Sequence, residues 1–420
     1  MTTSPSPNAF AWTHFAGFDW ACETHQVVVV DQTGRIAVEL RFADDAQGWQ
    51  QFRERLATLG EVAVAVETSR GAVVERLLEA GLAVYPVQPK AAERYRDRKA
   101  PSGAKNDWLD AWSLADALRT DGHAWRRLAP EDPLVQELRL LCRDERKLIA
   151  ARTALLNQLQ QALREYYPAA LEAFDDWTLA AAWEFLRRFP TPEALRAAGR
   201  RKLEKFLHTH GLARPERYQQ RLEVFARATA FCGPPAVTRA KSRLVVALVE
   251  QLQVLERQLQ QYRQRIEELF AQHPDHELFG SLPGVGPKLG PRLLSELGDD
   301  RGRFDGPQAL QCYAGTAPLS FQSGQMHRVR FRRACNKTLR ASVHLWAHLS
   351  RHSSPWAERY YQHKRQAGMT HACALRCLGQ RWLSILWAMW QDHTLYDEER
   401  HQANQRQHGS PVASPNPNPA

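Results

Sequence analysis

The sequence lacks a hydrophobic run long enough to cross a membrane. No stretch approaches the roughly 18 uncharged apolar residues that a spanning helix needs, and residues 1–8 do not show the basic-then-apolar order of a secretory signal. The apolar fraction of 44% and the charged fraction of 24% are ordinary for a soluble protein. These absences argue against a membrane protein and predict a cytoplasmic location.

Cysteine is also sparse. The seven cysteines are odd in number and have no framework spacing, which predicts reduced thiols and excludes a disulfide-stapled scaffold. His371, Cys373 and Cys377 lie close together in the sequence, but the two cysteines share one face of an apolar helix and no second pair of ligands follows. Packing is therefore preferred over a zinc site.

Acidic residues are too few to balance the basic ones. Lys and Arg total 56 against 46 Asp and Glu, a formal net charge of +10, and arginine greatly outnumbers lysine. Because a guanidinium pairs bidentately with phosphate and stacks on bases, this balance predicts a polyanionic partner. With 420 residues, the chain is long enough for two or three domains.

Two aspartates stand where a helical pattern begins. Asp107 and Asp110 are three residues apart, so on a helix their carboxylates share one face. An acidic helix N-terminus, favoured by capping and by the helix dipole, would produce the same pair. Two adjacent carboxylates repel each other unless a cation lies between them, and their hard oxygens suit Mg²⁺.

The chain up to and including this helix follows the order β-β-β-α-β-α-β-α. The first strand ends at Asp19, Glu67 follows the fourth strand, and the last helix carries Asp107 and Asp110. Sites form at strand ends in α/β sheets, so we expect these four acids to converge. The arrangement resembles the RNase H-like fold and its RuvC branch. Such acids can hold two metal ions that activate an oxygen nucleophile and stabilise the leaving oxygen of a phosphodiester.

Two long helical patterns follow, at about 134–167 and 241–270. Leucines recur at seven-residue spacing in the first, and the apolar seam of the second alternates steps of four and three without a break. The two helices could pair with each other as an antiparallel hairpin, or one could pair with its copy in another protomer. The sequence leaves both arrangements open.

A glycine turn leads into a helix at residues 281–294, which read Ser-Leu-Pro-Gly-Val-Gly-Pro-Lys-Leu-Gly-Pro-Arg-Leu-Leu. Backbone N–H groups at such a helix start can bind a phosphate. The segment therefore resembles a helix-hairpin-helix element, which grips the DNA backbone without reading bases. A structural corner between two helices would use the same glycines.

Arginine alternates with apolar residues between His327 and Arg333. On a strand, this spacing predicts three guanidiniums on one face and the apolar side chains beneath them: Arg328, Arg330 and Arg332 above, Val329 and Phe331 below. Ser323 precedes this run beside Gly324, close to cations that could hold a phosphate. A Ser-Gly turn is common in proteins, and no His or Asp base is near in the sequence, so a hydrolase triad is unsupported.

Taken in order, these segments resemble the IS110 (DEDD) family of insertion-sequence transposases, which are bridge-RNA-guided DNA recombinases. The resemblance covers about residues 13–395. Its motifs are Gly17-x-Asp19, Val66-Glu67-Thr68, Lys105-Asn-Asp107-x-x-Asp110-Ala111, the Pro-Gly-Val-Gly turn, and Gln322-Ser323-Gly324 before Arg332-Arg-Ala-Cys-Asn336. Some members carry two serines before the glycine, whereas Gln322 takes the first place here. Ser323 is thus the close match, with Ser320 a weaker candidate.

The expected architecture is α/β plus all-α. It comprises an RNase H-like (RuvC-like) domain at 13–128, a helical coiled-coil region at 129–273 and a mostly helical transposase domain at 274–398, the last with the helix-hairpin-helix-like element. Residues 1–12 and 399–420 are expected to be disordered tails.

The resemblance also implies roles for single residues. It makes Asp19, Glu67, Asp107 and Asp110 the ligands of Mg²⁺, two ions per site, and Ser323 the nucleophile that forms a covalent phosphoserine link to DNA. The candidate nucleic-acid contacts are Lys105, Lys288, Arg292, Arg328, Arg330, Arg332, Arg333 and Lys337.

The implied partners are donor DNA, target DNA and a guide (bridge) RNA encoded by the element. The family further implies dimers and tetramers in which protomers share a site, no membrane, and a place in the bacterial cytosol or nucleoid. Two other functions stay open: a RuvC-like metal-dependent junction endonuclease in which water attacks, and a non-catalytic nucleic-acid scaffold.

Overall fold

The computed structural model describes residues 12–407, apart from 101, 104, 229–231 and 325. The chain divides into two compact units, Met1–Pro130 and Glu131–Ala420. Within the described ranges, no helix combines the length and the apolar character needed to span a bilayer. Of the tails predicted at 1–12 and 399–420, residues 1–11 and 408–420 lie outside the described residues.

The first unit is built on a five-stranded sheet. Its strands are β1 (His14–Asp19), β2 (Thr24–Asp31), β3 (Ile36–Ala43), β4 (Val62–Val66) and β5 (Ala83–Pro86). They lie in the order β3-β2-β1-β4-β5. The pairs β1–β2 and β2–β3 are antiparallel, whereas β1–β4 and β4–β5 are parallel. The central strands are buried on both faces, which explains their near-continuous apolar runs.

Helices cover both faces of this sheet. They are α1 (Ala46–Ala57), α2 (Ala72–Glu79), α3 (Pro89–Lys99) and α4 (Asp107–Asp121). The first two pack on one face and the last two on the other. The predicted element order is confirmed except for α3, which the sequence reading missed. Pro89 begins that helix, because the fixed φ of proline suits a first helical position.

The second unit is helical in its described part, apart from one two-stranded hairpin of β6 (Leu319–Ser323) and β7 (Met326–Arg330). Its helices up to the second long one are α5 (Pro133–Tyr166), α6 (Pro168–Ala173), α7 (Ala180–Arg188), α8 (Pro192–Ala198), α9 (Arg200–Thr209), α10 (Pro215–Ala226) and α11 (Pro235–Gln272). The remaining helices are α12 (His276–Gly280), α13 (Gly286–Leu297), α14 (Pro307–Tyr313), α15 (Lys337–Ser350), α16 (Pro355–Gln366), α17 (His371–Asp392) and α18 (Glu398–Gln407).

The two long helices, α5 and α11, pair with each other within the chain. Three ion pairs join the two helices: Glu137 to Arg265 at 2.8 Å, Arg152 to Glu256 at 2.7 Å, and Glu165 to Lys241 at 2.9 Å. As the residue number rises along α5, the number of its partner in α11 falls. The pair is therefore antiparallel. Of the two arrangements that the sequence left open, the structure has the intrachain one.

Two hydrophobic clusters form along this helix pair. One gathers the far end of α5, the start of α11 and helices α6 to α10. The other gathers the opposite ends of the pair with helices α12 to α17. Trp346, Trp382 and Trp390 are fully buried in the second cluster, and Trp387 packs against it partly buried.

The predicted tail boundaries need correction at two places. Residues 399–407 belong to helix α18, where Ser354 Oγ donates a hydrogen bond to Glu398 at 2.9 Å. The ring of His401 lies 4.6 Å from that of Trp356. At the other end, Trp12 Nε1 donates to the hydroxyl of Tyr85 at 3.1 Å. Aromatic contacts order these short segments, although their polar composition predicts disorder.

Candidate active-site residues

Strand register puts two of the predicted acids at one edge of the sheet. Phe18 pairs with Val66 across the parallel strands, and Asp19 and Glu67 are the residues that follow. The side chains of Phe18 and Val66 belong to the core on the α1–α2 face. Because side chains alternate along a strand, Asp19 points to the opposite face, which α4 covers.

Helix α4 approaches this edge closely because Gly17 has no side chain. A Cβ at Gly17 would clash with the carbonyl oxygen of Ala111 and would stand 2.6 Å from the backbone nitrogen of Ala115. Only glycine permits such close packing of a strand on a helix backbone. The contact holds Asp110, the neighbour of Ala111, next to β1.

The first turn of α4 is fixed by its N-cap. Asn106 accepts a hydrogen bond from the backbone N–H of Leu109 at 2.7 Å through its side-chain oxygen. The two aspartates of this turn differ in environment: the side chain of Asp107 is 65% exposed and that of Asp110 is 8% exposed. One carboxylate thus faces solvent and the other the interior.

Asp19 lies within electrostatic reach of the other three predicted carboxylates. Burial, together with the negative charges of Asp110, Asp107 and Glu67, raises the pKa of Asp19 from 3.8 to about 6, against the opposing charge of Lys105. Burial and Asp110 likewise raise the pKa of Glu67. Asp19 thus lies in an electrostatic cluster with the other three predicted acids and Lys105, all of which act on its pKa.

Arg96 is a member of this cluster that the sequence reading missed. Its Nη1 donates to Asp110 Oδ1 at 2.7 Å, and its side chain is 15% exposed. The hydrogen bond to Asp110 raises the pKa of Arg96. Arg96 lies on α3, and the signals that could have revealed that helix are Pro89 at its first position and the spacing of Ala91, Ala92 and Tyr95.

The donor set fits a hard divalent cation. It offers carboxylate oxygens only, as such cations prefer, and a cation between them would relieve the repulsion that raises the pKa of Asp19 and of Glu67. In the described residues, no group of three or more His, Cys, Asp or Glu side chains lies close enough together to hold a metal ion. Asp110 instead contacts Arg96, and Asp107 lies 3.9 Å from Arg41. Metal ligation by the four acids stays a prediction.

The hairpin of the second unit places Ser323 on the same face as two arginines. Its strands pair Phe321 with Arg328 and Ser323 with Met326, and directly opposed residues share a face. The face that carries Ser323, here the serine face, comprises Leu319, Phe321, Ser323, Met326, Arg328 and Arg330. The opposite face, here the back face, comprises Ser320, Gln322, His327 and Val329. Ser323 and both arginines are exposed.

Two features of the arginine run differ from the prediction. The strand ends at Arg330, so Arg332 lies beyond it and donates from Nε to the carbonyl oxygen of Ala317 at 3.2 Å. The apolar residues are not buried beneath the guanidiniums, since Val329 is 60% exposed and Phe331 41% exposed. In the described part of the chain the hairpin pairs with no further strand, and both of its faces are exposed.

A buried polar network anchors the hairpin at its C-terminal side. Asn336 Nδ2 donates to Glu296 at 2.6 Å and to the hydroxyl of Tyr313 at 2.9 Å, and its Oδ1 caps α15. Glu296 is 1% exposed and also accepts from Arg143 at 2.7 Å. Asparagine directly before a helix is a capping signal, so the sequence does carry a sign of this role for Asn336.

The remaining predicted nucleic-acid contacts divide by exposure. Lys288, Arg333 and Lys337 are exposed, and Lys288 lies in the first turn of α13. Arg292 is only 12% exposed and donates to Glu145, itself 4% exposed, at 2.7 Å. The structure contradicts a surface role for Arg292, because this guanidinium neutralises a buried carboxylate.

The glycine turn before α13 has a structural use. A Cβ at Gly284 would lie 2.6 Å from the backbone nitrogen of Ser350, and Trp346 Nε1 donates to the carbonyl oxygen of Pro283 at 3.0 Å. The turn therefore packs on α15. Helix α12 before it has five residues, and a DNA-gripping helix-hairpin-helix stays a prediction.

Two family models match this chain. Residues 16–168, which include all four acids, match a model described as transposase. Residues 276–362, which include the hairpin, match the transposase model of the IS116/IS110/IS902 family.

Full-length relatives match as well. A mini-circle protein of IS117 from Streptomyces coelicolor is 37% identical over 398 residues, which covers 92% of this chain and 96% of the relative. The 43.6 kDa protein of insertion element IS110 from the same species is 30% identical, over 91% of this chain and 95% of the relative. The 42 kDa protein of IS900 from Mycobacterium paratuberculosis is 29% identical, over 91% and 96%.

Proposed function

The chain belongs to the IS110 family of insertion-sequence transposases, and from this membership we propose that it cuts and rejoins donor and target DNA with Ser323 as nucleophile and four carboxylates as metal ligands. Family membership supports an enzyme that acts on DNA and uses a divalent metal. The serine chemistry and the roles of single residues are the proposal.

The observation that carries the proposal is the strand register of the hairpin. It puts Ser323 on the same exposed face as Arg328 and Arg330. We propose that these two guanidiniums hold the DNA phosphates that approach this face, because charge-assisted hydrogen bonds to phosphate are strong and directional.

The proposed reaction conserves phosphodiester bonds. Ser323 Oγ attacks the phosphorus and forms a new P–O bond, while its proton passes to solvent. The P–O bond to one deoxyribose oxygen breaks, and that oxygen leaves as a hydroxyl after taking up a proton. Because one phosphoester bond replaces another, a deoxyribose hydroxyl can later reverse the step and rejoin the strands.

We assign Asp19, Glu67, Asp107 and Asp110 to binding Mg²⁺, with two ions per site. Bound there, Mg²⁺ would stabilise negative charge that develops on the scissile phosphate. The surrounding residues position these carboxylates: Gly17 lets α4 lie on β1, Asn106 fixes the first turn of α4, and Arg96 orients Asp110. The RNase H-like (RuvC-like) assignment of the N-terminal sheet is part of this proposal.

The proposed partners are donor DNA, target DNA and an element-encoded guide RNA. The net charge of +10 and the exposed cations of the second unit support a polyanionic partner: Lys288, Arg328, Arg330, Arg333 and Lys337. We further propose that the active complex is a homo-oligomer, a dimer or tetramer, in the bacterial cytosol or nucleoid.

The test is a search for a covalent protein–DNA link. Protein co-expressed with the flanking DNA of its element is given Mg²⁺ and labelled element-end DNA, and the products are run on a denaturing gel. We expect a labelled band at the mass of the protein in the wild type and none with Ser323→Ala. Ser320→Ala is the matched control, because Ser320 lies on the back face of the same strand, and it should retain the adduct.

The same gel separates the other two functions. Free cleaved ends without an adduct in any variant would indicate a RuvC-like junction nuclease. Asp110→Asn should abolish both adduct and cleavage, and a pure scaffold would show neither product in any variant while still shifting the DNA on a native gel. An adduct that persists in Ser323→Ala would overturn the assignment of the nucleophile.

A further inference from the structure

An exposed aromatic ring lies beside the proposed nucleophile. Phe321 is on the serine face two residues before Ser323, and it is 46% exposed. At the strand rise of about 3.4 Å per residue, the two residues are about 7 Å apart, which is within one nucleotide of an unstacked DNA strand. Met326, opposite Ser323, is 47% exposed. Two apolar side chains thus share one exposed face with Ser323, which makes this face a candidate surface for a ligand.

The charges around Phe321 indicate which ligand. Arg328 is its direct cross-strand partner, and the guanidinium of Arg330 lies 5.1 Å from the centre of its ring. An aromatic ring between cations is how proteins bind single-stranded nucleic acid: the base stacks on the ring and the cations contact the backbone. An apolar protein surface would have to desolvate both guanidiniums, which is costly without acidic partners.

The other aromatic residue of this segment has a different role. Phe331 lies under the guanidiniums of Arg340 and Arg376, at 5.0 Å and 4.4 Å from its ring centre. Arg340 is on α15 and Arg376 on α17, so Phe331 ties the end of the hairpin to the helical body. Phe321 makes no comparable tie to a helix among the described ring–cation contacts.

We propose that Phe321 is a stacking platform for an unpaired nucleobase next to the phosphate that Ser323 engages, with Arg328 and Arg330 on the flanking backbone. The inference rests on the proposed function for the identity of that phosphate. It adds a binding preference: the hairpin takes a locally unpaired strand, and duplex DNA must open there before the serine reaches its phosphate.

The test measures binding without chemistry. Full-length protein carrying Ser323→Ala, with its co-expressed RNA, is titrated with three labelled probes of equal length: single-stranded element-end DNA, the same sequence as duplex, and an abasic strand with the same phosphates. Phe321→Leu keeps an apolar side chain but removes the ring, and Phe321→Tyr restores the ring. Val329→Ala is the matched control, since Val329 is an exposed apolar residue of the back face.

We expect Phe321→Leu to weaken binding of the single strand about fivefold or more, which corresponds to the loss of one stacked base. The duplex and the abasic strand should bind unchanged, and Phe321→Tyr and Val329→Ala should match the parent within about twofold. An equal loss on all three probes, an equal loss in Val329→Ala, or no loss at all would overturn the proposal. A change in oligomer mass without a change in DNA affinity would show that the face binds protein instead.

The outcome is independent of the nucleophile assignment. Binding is compared within the Ser323→Ala background, so an adduct test that fails for Ser323 leaves the stacking result interpretable. Conversely, a phosphoserine adduct in the wild type together with unchanged single-strand binding in the Phe321→Leu, Ser323→Ala protein would refute the stacking proposal and leave the assignment of the nucleophile standing.

Discussion

Asp19 holds its proton more tightly than an ordinary carboxylic acid does. Burial and three neighbouring carboxylates raise its pKa from 3.8 to about 6. The ionised form therefore costs folding free energy in the metal-free protein, as is common where a site is organised for a ligand that folding alone does not supply. In the proposed site, the repulsion would be relieved only when a cation binds.

This reasoning predicts a gain in stability from removing a proposed metal ligand. A raised carboxyl pKa means that stability present at low pH is lost as the pH rises from about 3.8 towards 6. In EDTA at pH 7, Asp19→Asn should unfold at a higher temperature than the wild type, and the difference should vanish below pH 4. Thermal unfolding followed by circular dichroism across this range is the measurement.

Asp31→Asn is the control of opposite sign. A hydrogen bond from Thr33 lowers the pKa of Asp31. The ionised carboxylate of Asp31 therefore stabilises the fold at neutral pH, and this stabilisation is lost when the pH falls and the carboxylate is protonated. This variant should show no gain at pH 7. A gain in Asp19→Asn that is the same at pH 4 and pH 7 would contradict the electrostatic explanation.

At the scale of elements, two contacts decide where the candidate residues lie. The packing of α4 on β1 through Gly17 brings the carboxylates together, and the network around Asn336 holds the hairpin. Neither contact involves a residue that would touch substrate. Each can therefore be altered without touching the proposed chemistry directly.

Gly17→Ala should separate β1 from α4. The added Cβ meets helix backbone, which cannot move aside as a flexible side chain can, so we expect a loss of about 1–3 kcal/mol in the free energy of unfolding and loss of DNA cleavage. Gly306→Ala is a control, because nothing lies within 4 Å of a Cβ there, and it should stay within about 0.5 kcal/mol of the wild type. Chemical denaturation measures both, and equal effects would refute the packing argument.

Asn336→Ala should loosen the hairpin and destabilise the second unit. It removes the cap of α15 and a partner of buried Glu296, at a cost of about 1–3 kcal/mol. Asn336→Asp keeps the capping oxygen but sets a carboxylate against Glu296, so it should not rescue stability at neutral pH. Rescue by aspartate in denaturant unfolding would mean that capping alone explains the effect.

At the scale of the whole molecule, the chain carries an excess of ten positive charges, but its cationic side chains are not equally free to bind a partner. Many arginines are engaged in ion pairs, including those along the α5–α11 pair and the buried Arg292. Arg328 and Arg330 instead project from an exposed hairpin. Net charge therefore predicts the class of partner, and the fold decides which cations reach it.

The salt dependence of DNA binding should report these two arginines. Removing one cation that binds a phosphate lowers the slope of log K against log salt by about one, so Arg328→Ala with Arg330→Ala should lower it by about two. Arg265→Gln, whose guanidinium is already paired with Glu137, should leave the slope unchanged. Fluorescence anisotropy at several salt concentrations gives the slope, and an unchanged value in the double variant would remove these arginines from the interface.

The sequence by itself determined the features that local periodicity carries. Strand alternation and helical spacing predict most of the order of elements in the first unit and the two long helices, because each pattern depends on residues a few positions apart. Motifs at strand ends and at a helix start likewise marked the four acids, and the family resemblance marked Ser323.

Only the tertiary structure decided which of these features meet. The pairing of α5 with α11, the contact of Arg96 with Asp110 and the burial of Arg292 against Glu145 join residues on different elements. The register that puts Ser323 on the same face as Arg328 and Arg330 also depends on cross-strand pairing. Several arrangements satisfy the same local pattern, and packing of distant segments, which no short window of sequence contains, selects one of them.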